Sequence, residues 1–170
     1  EKLSEIVTLS KAAGANAGTY AISGAVNNNA VAANYSVTIV GSNGSEGVYT
    51  ITKREITVSI EDKTSAYGEE MLALTAKVTS GELVGEEKLS EIVTLSKAAG
   101  VNAGTYAISG AVNNNAVAAN YNVTIVGSNG SEGVYTITKR AITVSIEDKT
   151  SVYGEELLAL TSKVTSGELV

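Results

Sequence analysis

The chain has 170 residues, 44% hydrophobic and 18% charged, enough apolar content for one medium core or two small ones and too much for a disordered segment. Twelve Lys and Arg against 18 Asp and Glu leave a net charge of −6, and no basic stretch exceeds Lys53-Arg54 and Lys139-Arg140, so nucleic acid and anionic membrane are poorly matched partners. His, Cys, Trp and Phe are absent, which removes imidazole acid–base work, thiol nucleophiles, Cys/His metal sites and disulfides. No apolar run has the length of a membrane span, and residues 1–20 carry neither the basic nor the apolar part of a signal peptide, so membrane insertion is not expected.

The segment from Glu1 to Ser10 returns unchanged from Glu87 to Ser96, an offset of 86 residues (87 − 1 = 86). The register holds to Val170 and leaves six differences: Ala15/Val101, Ser36/Asn122, Glu55/Ala141, Ala66/Val152, Met71/Leu157 and Ala76/Ser162. Near-identical copies of domain length favour a unit repeated for reach over a catalytic unit.

Along one period, Ile56, Val58 and Ile60 alternate with polar residues, the pattern of a half-buried strand. Leu72, Leu74, Ala76 and Val78 predict a second strand. Val93 and Leu95 predict a third, and Tyr106 and Ile108 a fourth. Tyr121, Val123 and Ile125, then Tyr135 and Ile137, complete about six per period. Turn formers separate them at Tyr67-Gly68, Ser80-Gly81, 100–104, 110–115 and 127–130, and Asn129-Gly130 is a hairpin signal. Glu155-Glu156-Leu157-Leu158-Ala159-Leu160 contains good helix formers but is short, and reads as a turn entering a strand.

The run 48–58 has no Gly, Pro or Asn, yet its apolar parity changes between Tyr49/Ile51 and Ile56/Val58. A one-residue phase change moves the buried set to the other face, so this segment passes from one core to the next at Lys53-Arg54-Glu55 without a flexible linker. Residues 55–140 then form one complete repeat, 1–54 the last four strands of another, and 141–170 the first two of a third. The expected fold is all-β, with tandem small β-sandwich units of immunoglobulin-like type, the alternative being a β-grasp-like or single-sheet arrangement.

Tyr67-Gly68, Leu74-Thr75 with Val78-Thr79-Ser80-Gly81, Ala99-Gly100 with Ala103-Gly104-Thr105-Tyr106-Ala107-Ile108, Asn120-Tyr121 with Val123-Thr124-Ile125, and Tyr135-Thr136-Ile137-Thr138 together resemble the MBG repeat of the Tyr-Gly type. Such repeats often carry a Pro soon after Tyr-Gly. Here Glu69-Glu70-Met71 fills that loop and Pro is absent from the chain. The resemblance implies a bacterial extracellular protein, at the cell surface or secreted and adhesin-like, and brings no catalytic residues with it.

Neither catalytic, cofactor-binding nor metal-binding residues are assigned, and no cofactor is expected. Glu61-Asp62 and Glu69-Glu70 flank one turn without the EF-hand spacing, and read as a solvated acidic loop rather than a calcium site. Asn27-Asn28-Asn29 and Asn113-Asn114-Asn115 read as polar loop tips rather than sugar ligands. Tyr106, Tyr121 and Tyr135 read as core aromatics. In particular Tyr106 and Ile108 are expected to point inward and Thr105 and Ala107 outward, as in the copy at Tyr20 and Ile22. Lys139, weighed for a Lys–Asn crosslink, is expected to reach out to solvent. Asn43-Gly44-Ser45 and Asn129-Gly130-Ser131 match a glycosylation sequon, for which a turn role suffices.

The leading function is a structural stalk or spacer linking rigid β domains. The alternative is an adhesion module that contacts host glycan or protein through its loops, with avidity from copy number. An enzyme is not expected. Neighbouring repeats are the expected partners, with self-association by exchange of segments 1–54 and 141–170, since each lacks part of a sheet and exposes strand edges.

Overall fold

The computed structural model describes all residues, 1–170. In chain order its elements are α1 (Leu3–Ile6), β1 (Val7–Lys11), β2 (Gly18–Val26), β3 (Gly47–Ile51), β4 (Arg54–Ile60), β5 (Lys63–Ala66), β6 (Ala76–Ser80), α2 (Leu89–Ile92), β7 (Val93–Lys97), β8 (Gly104–Val112), β9 (Tyr121–Val126), β10 (Gly133–Thr138), β11 (Thr143–Ile146) and β12 (Ser162–Ser166). The fold is all-β, as the alternating patterns predict, with small sheets in the orders β1-β2-β3, β6-β4-β9, β5-β10-β8-β7 and β11-β12.

Two compact units are present. The first comprises 1–59, 77–94 and 111–125. It contains the antiparallel sheet β1-β2-β3, registered Leu9 to Gly24 and Tyr20 to Tyr49. It also holds almost all of β6-β4-β9, where Ile56 and Val58 of β4 are buried, as their parity requires. The second unit comprises 60–76, 95–110 and 126–170. There β10 lies between β8, antiparallel with Tyr135 opposite Tyr106, and β5, parallel with Tyr135 opposite Lys63. β11 and β12 pair antiparallel in the same unit.

Several expectations are corrected. The strand drawn over Leu72–Val78 starts only at Ala76, with Leu72 exposed and its N–H bound by the Tyr135 hydroxyl, 2.8 Å. Lys63–Ala66 forms an additional strand, because its backbone pairs in parallel with β10. Asn129-Gly130 makes a local turn, Gly127 N–H to Gly130 C=O at 2.8 Å, but β9 and β10 belong to different sheets, so no β9–β10 hairpin forms. Only Gly130 of that pair takes a positive φ, +70°. A helical turn precedes β7 where none was expected: the Glu91 carboxylate accepts the Lys88 N–H at 2.7 Å and closes the first turn, and extended Val93 ends it. Glu155–Leu160 is non-helical, as read.

Within 1–54 three strands form rather than four. Residues 35–40, Tyr-Ser-Val-Thr-Ile-Val, have no strand structure, whereas 121–126, identical but for Asn122, form β9. Sequence is the same at five of these six positions, so pairing partners decide the state.

Candidate functional site

The polar side chains of the loops are spent on holding the backbone. The Lys97 ammonium lies over the Tyr106 ring, 4.2 Å from its centre, and donates to the carbonyls of Ala98 and Gly100, both at 2.7 Å. The Tyr106 hydroxyl donates to the Asn102 carbonyl at 2.7 Å. Lys11, Tyr20 and Asn16 repeat the arrangement in the first copy. Gly100 has φ +141°, and a Cβ there would stand 2.0 Å from the Tyr106 ring, so glycine is required on steric and backbone grounds. Tyr106 is therefore half-buried and roofed by Lys97 and this loop instead of lying in the core, as is its copy Tyr20. Ala107 is also half-buried, not outward, while Ile108, Tyr121 and Tyr135 are buried as expected.

The loop so fixed has a partner in the other copy. Ala17 N–H donates to Asn120 Oδ1 at 2.7 Å, and Asn120 Nδ2 donates to Asn16 Oδ1 at 3.2 Å and to its own loop at Ala116 C=O, 3.1 Å. These groups border a cavity of about 360 Å³ that also meets Arg54, Glu87 and Tyr121. The Tyr121 hydroxyl accepts the Val84 N–H at 2.9 Å and makes a short bond to the Glu87 carboxylate. Burial, and then the carboxylate, raise the Tyr121 pKa above the ordinary phenol value. Sequence reasoning missed this clasp. Its signal was the Lys11-Ala-Ala-Gly step nine residues before Tyr20, repeated at Lys97 and Tyr106.

Asn113 and Asn115 are not loop tips. Asn113 Nδ2 donates to Ser90 C=O at 3.1 Å and Asn115 Nδ2 to Glu91 C=O at 2.6 Å, which covers carbonyls left open by the short helix α2. Asn115 Oδ1 in turn accepts the Ala118 N–H at 2.8 Å. Asn27 and Asn29 do the same for α1.

The acidic residues have separate partners and do not converge. Asp62 accepts from Ser128 Oγ and Val134 N–H, both at 2.7 Å, and these bonds hold its pKa below the ordinary carboxylate value. Glu61 accepts from Thr75 Oγ1 at 2.6 Å and Glu69 from Ala66 N–H at 3.0 Å. Lys139 is exposed, the opposite of the burial a Lys–Asn crosslink needs.

The family model of the MBG domain (YGX type) matches residues 56–131, a span containing Tyr67-Gly68, the Asn113–Asn115 clip and Asn120. No curated protein and no solved structure matches the chain. The flanking residues repeat this span: 1–45 correspond to 87–131, and 142–170 to 56–84. Residues 56–131 thus belong to the MBG domain family of the YGX type, a repeat module rather than an enzyme family.

Proposed function

We propose that the chain is a structural stalk or spacer of a bacterial extracellular surface protein, in which MBG repeats are linked end to end. The observation that carries this reading is the clasp between Ala17 and Asn120, residues from successive copies. A connection of only Thr52 and Lys53 between β3 and β4 supports it, since two residues with no glycine between them leave little of the freedom of a Gly/Ser linker. The amides of Asn113 and Asn115 are bonded within the fold, which weighs against their serving a glycan. Neighbouring repeats are then the main partners, and residues 55–140 are the natural unit.

Small-angle scattering on chains of two, four and six copies tests this. The expected outcome is a maximum dimension that grows by a constant increment per copy, and a smaller increment when each Asn120-type residue is changed to Ala. Growth as the square root of copy number, the behaviour of freely jointed beads, refutes the spacer reading. Saturable binding by a single repeat on glycan and host-protein arrays favours the adhesion module instead.

A further inference from the structure

We infer that Tyr67-Gly68, the pair that marks the YGX type, is a socket for the copy that follows it, and that the residue seated there is the Val of that copy's Gly-Glu-Leu-Val segment. The pair follows β5 in a closed turn. The Tyr67 N–H donates to the Thr138 carbonyl at 2.9 Å, the Glu69 N–H to the Ala66 carbonyl at 3.1 Å, and the Ala66 N–H to the Glu69 carboxylate at 3.0 Å. With its N–H spent on its own copy, Tyr67 presents its carbonyl to the junction, where Arg140 Nε donates to it at 3.0 Å.

Gly68 has φ +82°, and a Cβ there would stand 2.3 Å and 2.7 Å from the two Cγ atoms of Val170, so the position excludes a side chain on backbone and on steric grounds. Its copy Gly154 has nearly the same φ, +87°, but a Cβ there meets nothing within 4 Å, and the 170 residues hold no later copy of Val170. The two glycines share backbone strain and differ in the Val contact. Val170 keeps 74% of its surface exposed, so the seat acts by shape and not by burial.

Gly167, at φ +79°, brings Val170 to this place. A Cβ on it would stand 2.4 Å from the Ala141 carbonyl oxygen, so the chain leaving β12 presses against the start of its own copy, next to Arg140. The same device stands one copy earlier, where a Cβ on Gly81 would lie 2.2 Å from the Glu55 carbonyl oxygen. There Val84 borders the cavity of Asn16, Ala17 and Arg54. Val170 borders a cavity of about 400 Å³ with Asn102, Ala103 and Arg140, the copies of those residues, and with Tyr67. Each set lies within one compact unit. One joint is thus seen twice, once with the Asn120 clasp and once with the Tyr-Gly socket, and a joint between two full copies holds both.

Thermal melting of the full chain with Gly68→Ala, Gly154→Ala, Val170→Ala and the Gly68→Ala/Val170→Ala pair reads the inference. Gly68→Ala is expected to lower the melting temperature by at least about 2 °C more than Gly154→Ala, because overpacking against Val170 adds to the strain that both share. Val170→Ala alone should have little effect, and in the pair it should remove most of that excess by deleting the two closest methyl groups. In a chain longer by one copy, where residue 154 gains a following Val, Gly154→Ala should become as damaging as Gly68→Ala. A nuclear Overhauser contact between Gly68 Hα and the Val170 methyls of the wild-type chain is expected, and reads the seat without any substitution. Equal shifts for the two glycine variants in the 170-residue chain, no relief from Val170→Ala, a Gly154→Ala change that stays mild in the longer chain, or no Gly68–Val170 contact overturns the inference. The inference rests on the spacer reading and names what joins its copies. Equal shifts would remove the socket and leave a constant scattering increment standing, whereas square-root growth with the Gly68–Val170 contact intact would refute the spacer alone.

Discussion

Tyr135 and Tyr49 occupy the same place in identical surroundings, Gly-Val-Tyr-Thr-Ile, yet Tyr135 is 0% exposed and Tyr49 is 49% exposed. Replacing each with Phe removes one hydroxyl and little else. At Tyr135 that hydroxyl accepts the Leu72 N–H at 2.8 Å and bonds the buried Ser65 Oγ at 3.1 Å. Loss of one ordinary hydrogen bond costs about 1 kcal/mol, and a buried donor left without a partner costs about 1–3 kcal/mol. Leu72 is partly exposed, so water reaches its N–H and the lower end applies to that bond. Tyr135→Phe is therefore expected to destabilise the protein by about 1–2 kcal/mol, and Tyr49→Phe by less than about 0.5 kcal/mol, the range for surface changes. With a urea dependence of about 2 kcal/mol/M, the Tyr135 variant shifts the midpoint of its transition down by about 0.5–1 M, followed by far-ultraviolet circular dichroism. Equal shifts for the two variants would refute the reasoning, since they would mean that burial of the hydroxyl has no part in the effect.

Asn115→Ala is expected to cost about 0.5–2 kcal/mol, the range for a lost capping side chain, because the Ala118 N–H and the Glu91 carbonyl both lose a partner. Faster hydrogen exchange at Ala118 is the local check. Gly100→Ala is expected to destabilise by more than Gly104→Ala, whose Cβ would meet nothing closer than 3.8 Å, with thermal melting as the comparison. The Asp62 carboxyl has a folded pKa below its unfolded value near 4, so its contribution to stability is present above about pH 4 and lost as pH falls through the depressed value. Asp62→Asn should flatten the fall in melting temperature on acidification below about pH 4, and an unchanged acid slope would count against the two hydrogen bonds assigned to it. Tyr121 has the opposite sign: its raised pKa means stability present below about pH 10 and lost as pH rises through the folded value, so Tyr121→Phe should flatten alkaline destabilisation.

Period-two alternation carried the all-β class, and the parity of Ile56, Val58 and Ile60 located a buried strand face because β-branched residues on one side have no other use. The unchanged return of Glu1–Ser10 at Glu87–Ser96 likewise exposed the repeat. What alternation does not encode is the partner of each strand. The parallel β5·β10 pair involves Lys-Thr-Ser-Ala, which has no apolar rhythm, and was invisible for that reason. Residues 35–40 and 121–126 make the point most directly, since nearly one sequence has two states set by what lies beside it. Tyr106 shares parity with Ile108 but lies two residues into its strand, where Lys97 and a loop cover the ring. The Asn clips were misread because Asn is enriched in exposed turns, and composition alone does not distinguish an amide turned outward from one turned back onto a helix end.

The parallel pairing of β5 with β10 has a mechanical consequence. Lys63 to Ala66 runs beside Tyr135 to Thr138 in the same direction. A pull on the chain before Lys63 and after Thr138, in opposite senses, slides these two strands along each other instead of peeling them apart. The four paired positions then bear the load simultaneously, whereas the two ends of an antiparallel hairpin would open one bond at a time. Rupture requires those bonds to fail together, a high barrier to extension, and resistance to stretching is governed by the unfolding rate rather than by equilibrium stability. Within this sheet the short β5 strand is in this way suited to bearing shear against β10.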